Sequence, residues 1–112
     1  MRPPERLMGD WMDLIDERLL EALHEADDPM TAWQLAFDIG TPSRMRVRER
    51  CRVLADAGFV VVVPRPPMRE QYEITSWGER YLEGEVDADL RRPVPAPRPP
   101  EAVRPGSYAG FG

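Results

Sequence analysis

Between Arg44 and Val53 basic and apolar side chains alternate almost without a break: Arg44-Met45-Arg46-Val47-Arg48-Glu49-Arg50-Cys51-Arg52-Val53. At a period of two this is a half-buried strand; at a period of 3.6 it is a helix with one apolar stripe. Three features favour the helix. A strand would turn Glu49 inward with the apolar residues. The continuation Leu54-Ala55-Asp56-Ala57-Gly58 abandons the alternation and ends in a helix-stop glycine. A helix also gathers Val47, Cys51, Leu54, Ala55 and Gly58 on one side. Its start can be capped by Thr41, with Pro42 at the first helical position, or by Ser43.

The flanks place this helix third in a series. Leu14, Ile15, Leu19, Ala22, Leu23 and Ala26 recur near helical spacing, with Asp16, Glu17, Glu21 and Glu25 expected on the other side. Asp13 is the expected N-cap, and Asp27-Asp28-Pro29 the stop. A second helix opens at Thr31, whose hydroxyl and Gln34 form a capping box. Leu35, Ala36 and Ile39 make its buried stripe, and Gly40 ends it. The connection from Gly40 to Ser43 is as short as a helix-turn-helix requires.

After Gly58, Phe59–Val63 is a β-branched run and Gln71–Thr75 alternates, so the two read as strands. Pro64, Pro66 and Pro67 stiffen the loop between them. A last helix is expected from Ser76, capped by a Ser76/Glu79 pair and running to about Leu90. The order predicts an α+β fold: a winged helix-turn-helix with a three-helix core, a two-stranded wing and a C-terminal helix. Residues 10–90 form the expected domain. Residues 1–9 read as a flexible leader, and 91–112, rich in Pro and Gly, as a disordered tail. So small a core is marginal alone, which favours a homodimer. Helix one, helix four and Phe59–Val63 are candidate dimer surfaces.

The net charge of −5 on 112 residues argues against a nucleic-acid partner until it is resolved along the chain. Residues 1–40 carry three Arg and ten acids, residues 41–69 seven Arg and two acids, and residues 70–112 five Arg and eight acids. A positive block thus sits inside an acidic chain, and a local patch can bind phosphate whatever the total. All 15 basic residues are arginine. A GC-rich genome or a halophilic host would each produce this. One cysteine and one histidine cannot build a structural zinc site, nor one cysteine an internal disulfide. No cofactor or metal is expected. No membrane span or secretory signal is legible, so the cytoplasm is the default location.

The third helix is therefore the expected reading element for double-stranded DNA, occupying about residues 43–57. Helix N-terminal parts reach base edges, which assigns Arg44, Met45, Arg48 and Glu49 to bases. Arg46, Arg50 and Arg52 are assigned to phosphates. Arg65 and Arg69 at the wing are candidates for phosphate or minor-groove contact, and Thr41 and Ser43 at the helix start for phosphate. The competing reading of the arginines is a solvated, salt-bridged helix face. Trp11, Trp33, Phe37 and Trp77 read as core or dimer contacts, Cys51 as a small buried hydrophobe, and His24 as solvated. No nucleophile, base and orienting group converge, so no enzyme is expected. A winged helix used only for docking another protein is the alternative function; it would present an apolar reading face.

These residues carry a resemblance. Trp11-Met12, Asp16-Glu17-Arg18-Leu19-Leu20, Ser43-Arg44, Val47, Arg50-Cys51, Leu54 through Val60, Tyr72-Glu73-Ile74-Thr75, Gly78 and Tyr81-Leu82-Glu83-Gly84-Glu85 are similar to haloarchaeal winged helix-turn-helix regulators like the phage phi-H repressor. The likeness spans about residues 11–90. It implies a transcription regulator, a repressor working as a dimer on a repeated site, and supports the halophile reading. The three prolines of the wing depart from the polar or glycine turn usual in such proteins.

Overall fold

The computed structural model describes residues 6–66 and 70–93. The expected leader over residues 1–5, the tail from residue 94 onward, and Arg69 lie outside the described residues. The elements are α1 (Leu14–Glu25), β1 (Met30–Thr31), α2 (Ala32–Ile39), α3 (Arg44–Asp56), β2 (Val60–Val63), β3 (Gln71–Ile74), α4 (Ser76–Leu82) and a 3-10 turn at Ala88–Arg91. Three helices pack around one core, and a small antiparallel sheet closes its side.

The ambiguous segment is helical. Ser43 caps α3, its Oγ accepting from the Arg46 amide at 3.1 Å. Val47, Cys51 and Leu54 are buried along one face. The helix ends where Gly58 takes φ +88°, which lets the Phe59 and Gly58 amides donate to Leu54 and Ala55 carbonyls at 2.9 and 3.0 Å. That pair of bonds is a Schellman ending, and it throws the chain directly into β2. At the other side of the turn, Thr31 and Gln34 exchange the expected capping-box bonds at 3.1 and 2.9 Å. Gly40, at φ +78°, stops α2.

The sheet has three strands, in the order β1-β3-β2. The sequence reading found only the two long ones. β1 is two residues long, pairing Met30 with Tyr72 and Thr31 with Gln71, too short for any alternation to show. It binds the entry of α2 to the base of the wing. In the hairpin, Val60 pairs with Ile74 and Val63 with Gln71.

Three local expectations are corrected. The cap of α4 is Thr75 rather than Ser76: its hydroxyl oxygen accepts from Gly78 N at 3.2 Å while the hydroxyl donates to the Gly58 carbonyl at 2.6 Å. α4 ends at Leu82, well before Leu90, and Glu85 N donates back to the Arg80 carbonyl at 2.9 Å. In α1, the buried face runs through Asp16, Leu19, Leu20 and Leu23, while Leu14 is 75% exposed. Asp16, expected outside, is fully buried.

The two ends of the described chain clasp each other. Arg6 Nε donates to the Leu82 carbonyl at 3.0 Å, and Ala88 N donates to the Leu7 carbonyl at 2.9 Å. Trp11 Nε1 donates to the Ala88 carbonyl at 3.0 Å, and the Trp11 ring packs on Phe59. Arg6 to Gly9, which the sequence places in a flexible leader, is thus packed on the domain. The Arg80 and Arg91 guanidinium groups both lie over the Trp77 ring, 5.4 and 4.6 Å from its centroid. Trp33 and Phe37, by contrast, stack on each other in solvent, with Phe37 81% exposed. They are not core.

Candidate nucleic-acid interface

α3 is held from two sides. Its apolar face sinks into the core, and Arg50 anchors its flank. Arg50 Nε and Nη2 donate to the two Asp16 oxygens at 2.9 and 2.7 Å, and Nη2 also donates to the Trp11 carbonyl at 3.0 Å. Asp16 Oδ2 accepts from the Asp13 amide as well, at 2.9 Å, so one carboxylate caps α1 and pins α3. The hydrogen bond from Arg50 to Asp16 outweighs the cost of burial, and the Arg50 pKa rises above its ordinary value. The sequence assigns Arg50 to phosphate; the structure instead turns its guanidinium inward, onto Asp16 and the Trp11 carbonyl.

The other arginines also meet carboxylates. Arg46 Nη2 lies 2.8 Å from Asp13 Oδ2. Arg52 Nη2 lies 2.6 and 2.8 Å from the two oxygens of Glu70, at the base of the wing. Arg48 Nε reaches the same Glu70 at 3.4 Å. The hydrogen bond that Arg52 donates to Glu70 raises the Arg52 pKa. Among the described residues Arg44 and Arg65 have no carboxylate partner, and both are exposed.

The outward face of α3 therefore has two zones. Its first two turns present Arg44, Met45, Arg48 and Glu49, all exposed. Met45 is 75% exposed, which the apolar stripe explains: it lies opposite Val47. The later turns present Arg52, already clamped by Glu70. A recess of about 760 Å³ opens between the start of α2, the first turn of α3 and the wing base. Trp33, Ser43, Arg44, Met45, Arg48 and Glu70 are among its walls. Ser43 uses its oxygen as a cap acceptor, which leaves its hydroxyl hydrogen free to donate. Thr41 is half-buried beside it, and its amide donates to the Ala36 carbonyl at 3.0 Å.

Asp13, Asp16, Glu70 and the Trp11 carbonyl are the parts of this surface that sequence reasoning missed. Glu70 is the first residue of the acidic third segment, one position beyond the basic block. Only the antiparallel return of β3 brings it back against α3. Elsewhere, Cys51 is fully buried, and burial, followed by Asp16 and Glu70, pushes its thiol up to about 12. His24 is exposed, with Nδ1 3.5 Å from Glu79. No helix among the described residues is long and apolar enough to cross a membrane, and no group of three or more metal-binding side chains occurs among them.

The winged helix-turn-helix phage repressor family matches the chain over residues 5–91. The chain is similar to the crystal structure of the PhiH1 repressor-like protein from Haloarcula marismortui, at 34% identity and TM-score 0.65, over 80% of this chain and 98% of that one. It also resembles a transcriptional regulator of the MarR family from Rhodococcus sp. RHA1, at 19% identity and TM-score 0.58, over 71% of this chain and 55% of that one. At that identity the second likeness speaks to the winged-helix fold alone. No curated protein matches the sequence. With the family spanning nearly the whole described fold, the chain belongs to the winged helix-turn-helix phage repressors, as a haloarchaeal phi-H repressor-like regulator.

Proposed function

We propose that this protein is a DNA-binding transcription regulator, a repressor, that places the N-terminal half of α3 in the major groove. One observation carries the reading: Arg44, Met45, Arg48 and Glu49 stand together on the outer face of a helix whose inner face is locked by Val47, Cys51 and Leu54. A rigid helix with a free outer face is what groove insertion demands. Arg44 and Arg48 pair with guanine, Glu49 accepts from cytosine, and Met45 makes the apolar contact. Ser43, Thr41 and Arg46 face the backbone, joined by Arg65 and Arg69 from the wing, while Arg52 at the same rim is held by Glu70. Arg50 supports the helix from within. The protein acts in the cytoplasm as a homodimer on a two-fold repeated site.

Molar salt leaves a screening length of about 3 Å, so long-range attraction contributes little there. Binding must then come from close contacts, and the first turns of α3 supply them. The test is selection of bound fragments from the genome, followed by band shift in molar KCl with Arg44→Ala and Arg48→Ala. Each lost guanine pair is expected to weaken operator binding by about 5- to 150-fold. Unchanged binding by both variants refutes the assignment, and a motif without two-fold symmetry refutes the dimer.

The stacked, exposed Trp33 and Phe37 favour a second reading, a protein-docking surface on α2. Failure to enrich any DNA at any salt would select it.

A further inference from the structure

The arginine helix carries far less field than its composition announces. Five arginines lie between Arg44 and Arg52. Glu49 and Asp56 belong to α3 itself, and Asp13, Asp16 and Glu70 dock onto it from α1 and the wing base. Five positive charges thus meet five negative ones. The docked carboxylates are not equivalent. Asp16 is buried and holds the helix. Asp13 touches Arg46 at the exposed rim. Glu70 sits on the face offered to DNA, only 17% exposed itself, against an Arg52 that is 46% exposed and an Arg48 that is 60% exposed.

A carboxylate and a phosphate ester use the same guanidinium donors. Glu70 occupies with both its oxygens the Arg52 Nη2 donors that a backbone phosphate would take. A phosphate arriving there must displace Glu70 or stand beside its charge. We propose that Glu70 is an internal phosphate surrogate that silences Arg52, and in part Arg48, toward any DNA backbone, and so sets how strongly the protein binds DNA of any sequence. The penalty is the same on every sequence, so it lowers non-specific binding. Arg44 and Arg48 at the reading end can repay it only where bases match. The inference rests on the DNA-binding reading above, and adds to it the residue that keeps the protein off random sequence.

The experiment is a double-mutant cycle on Glu70 and Arg52, measured on a random-sequence duplex between 0.2 and 1 M KCl. Circular dichroism establishes that each variant is folded across that range. Each extra phosphate neutralised steepens the slope of log K on log salt by about 0.9, which is about fourfold in affinity at 0.2 M relative to 1 M. Glu70→Gln is expected to show that steeper slope and tighter non-specific binding. Arg52→Gln alone leaves the Glu70 charge facing the DNA with only the longer Arg48 contact, and is expected to weaken binding by about fourfold or less at 0.2 M. In the Glu70→Gln background it is expected to abolish the gain and return binding to that of the unmutated protein. The proposal is overturned if Glu70→Gln itself weakens binding, because Glu70 then orients Arg52 for DNA rather than hiding it. An unchanged slope in a folded Glu70→Gln variant also overturns it, while leaving the DNA-binding reading intact. That reading falls only if the unmutated protein binds no DNA, which the same titration reports.

Discussion

Removing the Asp16 carboxylate should cost this domain a large part of its stability. Asp16 is fully buried and accepts three hydrogen bonds, from Arg50 Nε, Arg50 Nη2 and the Asp13 amide, and the Arg50 it holds donates in turn to the Trp11 carbonyl. Asp16→Ala leaves the Arg50 guanidinium, 17% exposed, with only the distant and half-exposed Asp13 carboxylate, 3.9 Å away, as counter-charge. Breaking a buried pair from one side costs about 3–5 kcal/mol. The residual exposure of Arg50 lets water replace part of the loss, which places the expectation near the lower end, about 3 kcal/mol. A domain of this size has about 4–13 kcal/mol in all. The expected shift in melting temperature is about 12–24 °C. The assay is urea denaturation followed by circular dichroism, at 0.5 M and 3 M KCl. A buried pair is little screened, so the loss should persist at both salts, whereas removal of the exposed Asp13–Arg46 pair should matter only at the lower one. The double variant Asp16→Leu/Arg50→Met removes both charges and should recover most of the stability. A loss under about 1 kcal/mol for Asp16→Ala, or full recovery by salt, refutes the claim that this pair fixes α3 against α1.

Two further outcomes follow from local geometry. Gly78→Ala, in mid-helix, would ordinarily gain about 1 kcal/mol in helix propensity, but the new Cβ would collide with the Phe59 carbonyl oxygen and lie 2.7 Å from Ile74 Cγ1. Destabilisation of about 2 kcal/mol or more is expected, and a raised urea midpoint would refute the close packing of α4 on the β2 entrance. Cys51 keeps its proton in the folded state up to about 12, from an ordinary 9.0. A raised thiol pKa contributes stability that is complete below about pH 9 and is lost as pH climbs toward 12, because the unfolded thiol ionises first. The urea midpoint of the unmutated protein should therefore fall more steeply from pH 8.5 to 11 than that of Cys51→Ala, and iodoacetamide at pH 8 should leave the native thiol unmodified. Parallel slopes, or alkylation without unfolding, would refute its burial.

What the chain declares locally, it declares well. Thr31 and Gln34, Gly40, Ser43, and Gly58 each act within six residues of themselves, and each sits where its chemistry predicts. The apolar stripe of α3 is equally local: Val47, Cys51 and Leu54 need only a 3.6-residue period to find one another. The failures share a different cause. β1 exists only because Tyr72 and Gln71 come alongside Met30 and Thr31; two residues have no period. Asp16 follows a helical repeat that assigns it outside, and only Arg50, 34 positions later, makes its burial tolerable. Glu70 reaches Arg52 across 18 positions through the return of the hairpin.

The consequence for the site is a matter of charge. Counting along the chain sets an arginine helix apart from acidic flanks, whereas folding puts three of those flanking carboxylates onto it. The contest between a DNA-reading face and a salt-bridged one does not resolve for the whole helix. It resolves by turn: Arg50 and Arg52 are spoken for by Asp16 and Glu70, and Arg44 and Met45 stand clear. A binding surface built this way takes little from long-range attraction, so high salt removes little from it. On the proposed DNA-binding function, specific recognition concentrates on the first two turns of α3, where substitutions should alter which sequence is bound, while substitutions at Glu70 and Arg52 should alter how strongly all sequences are bound.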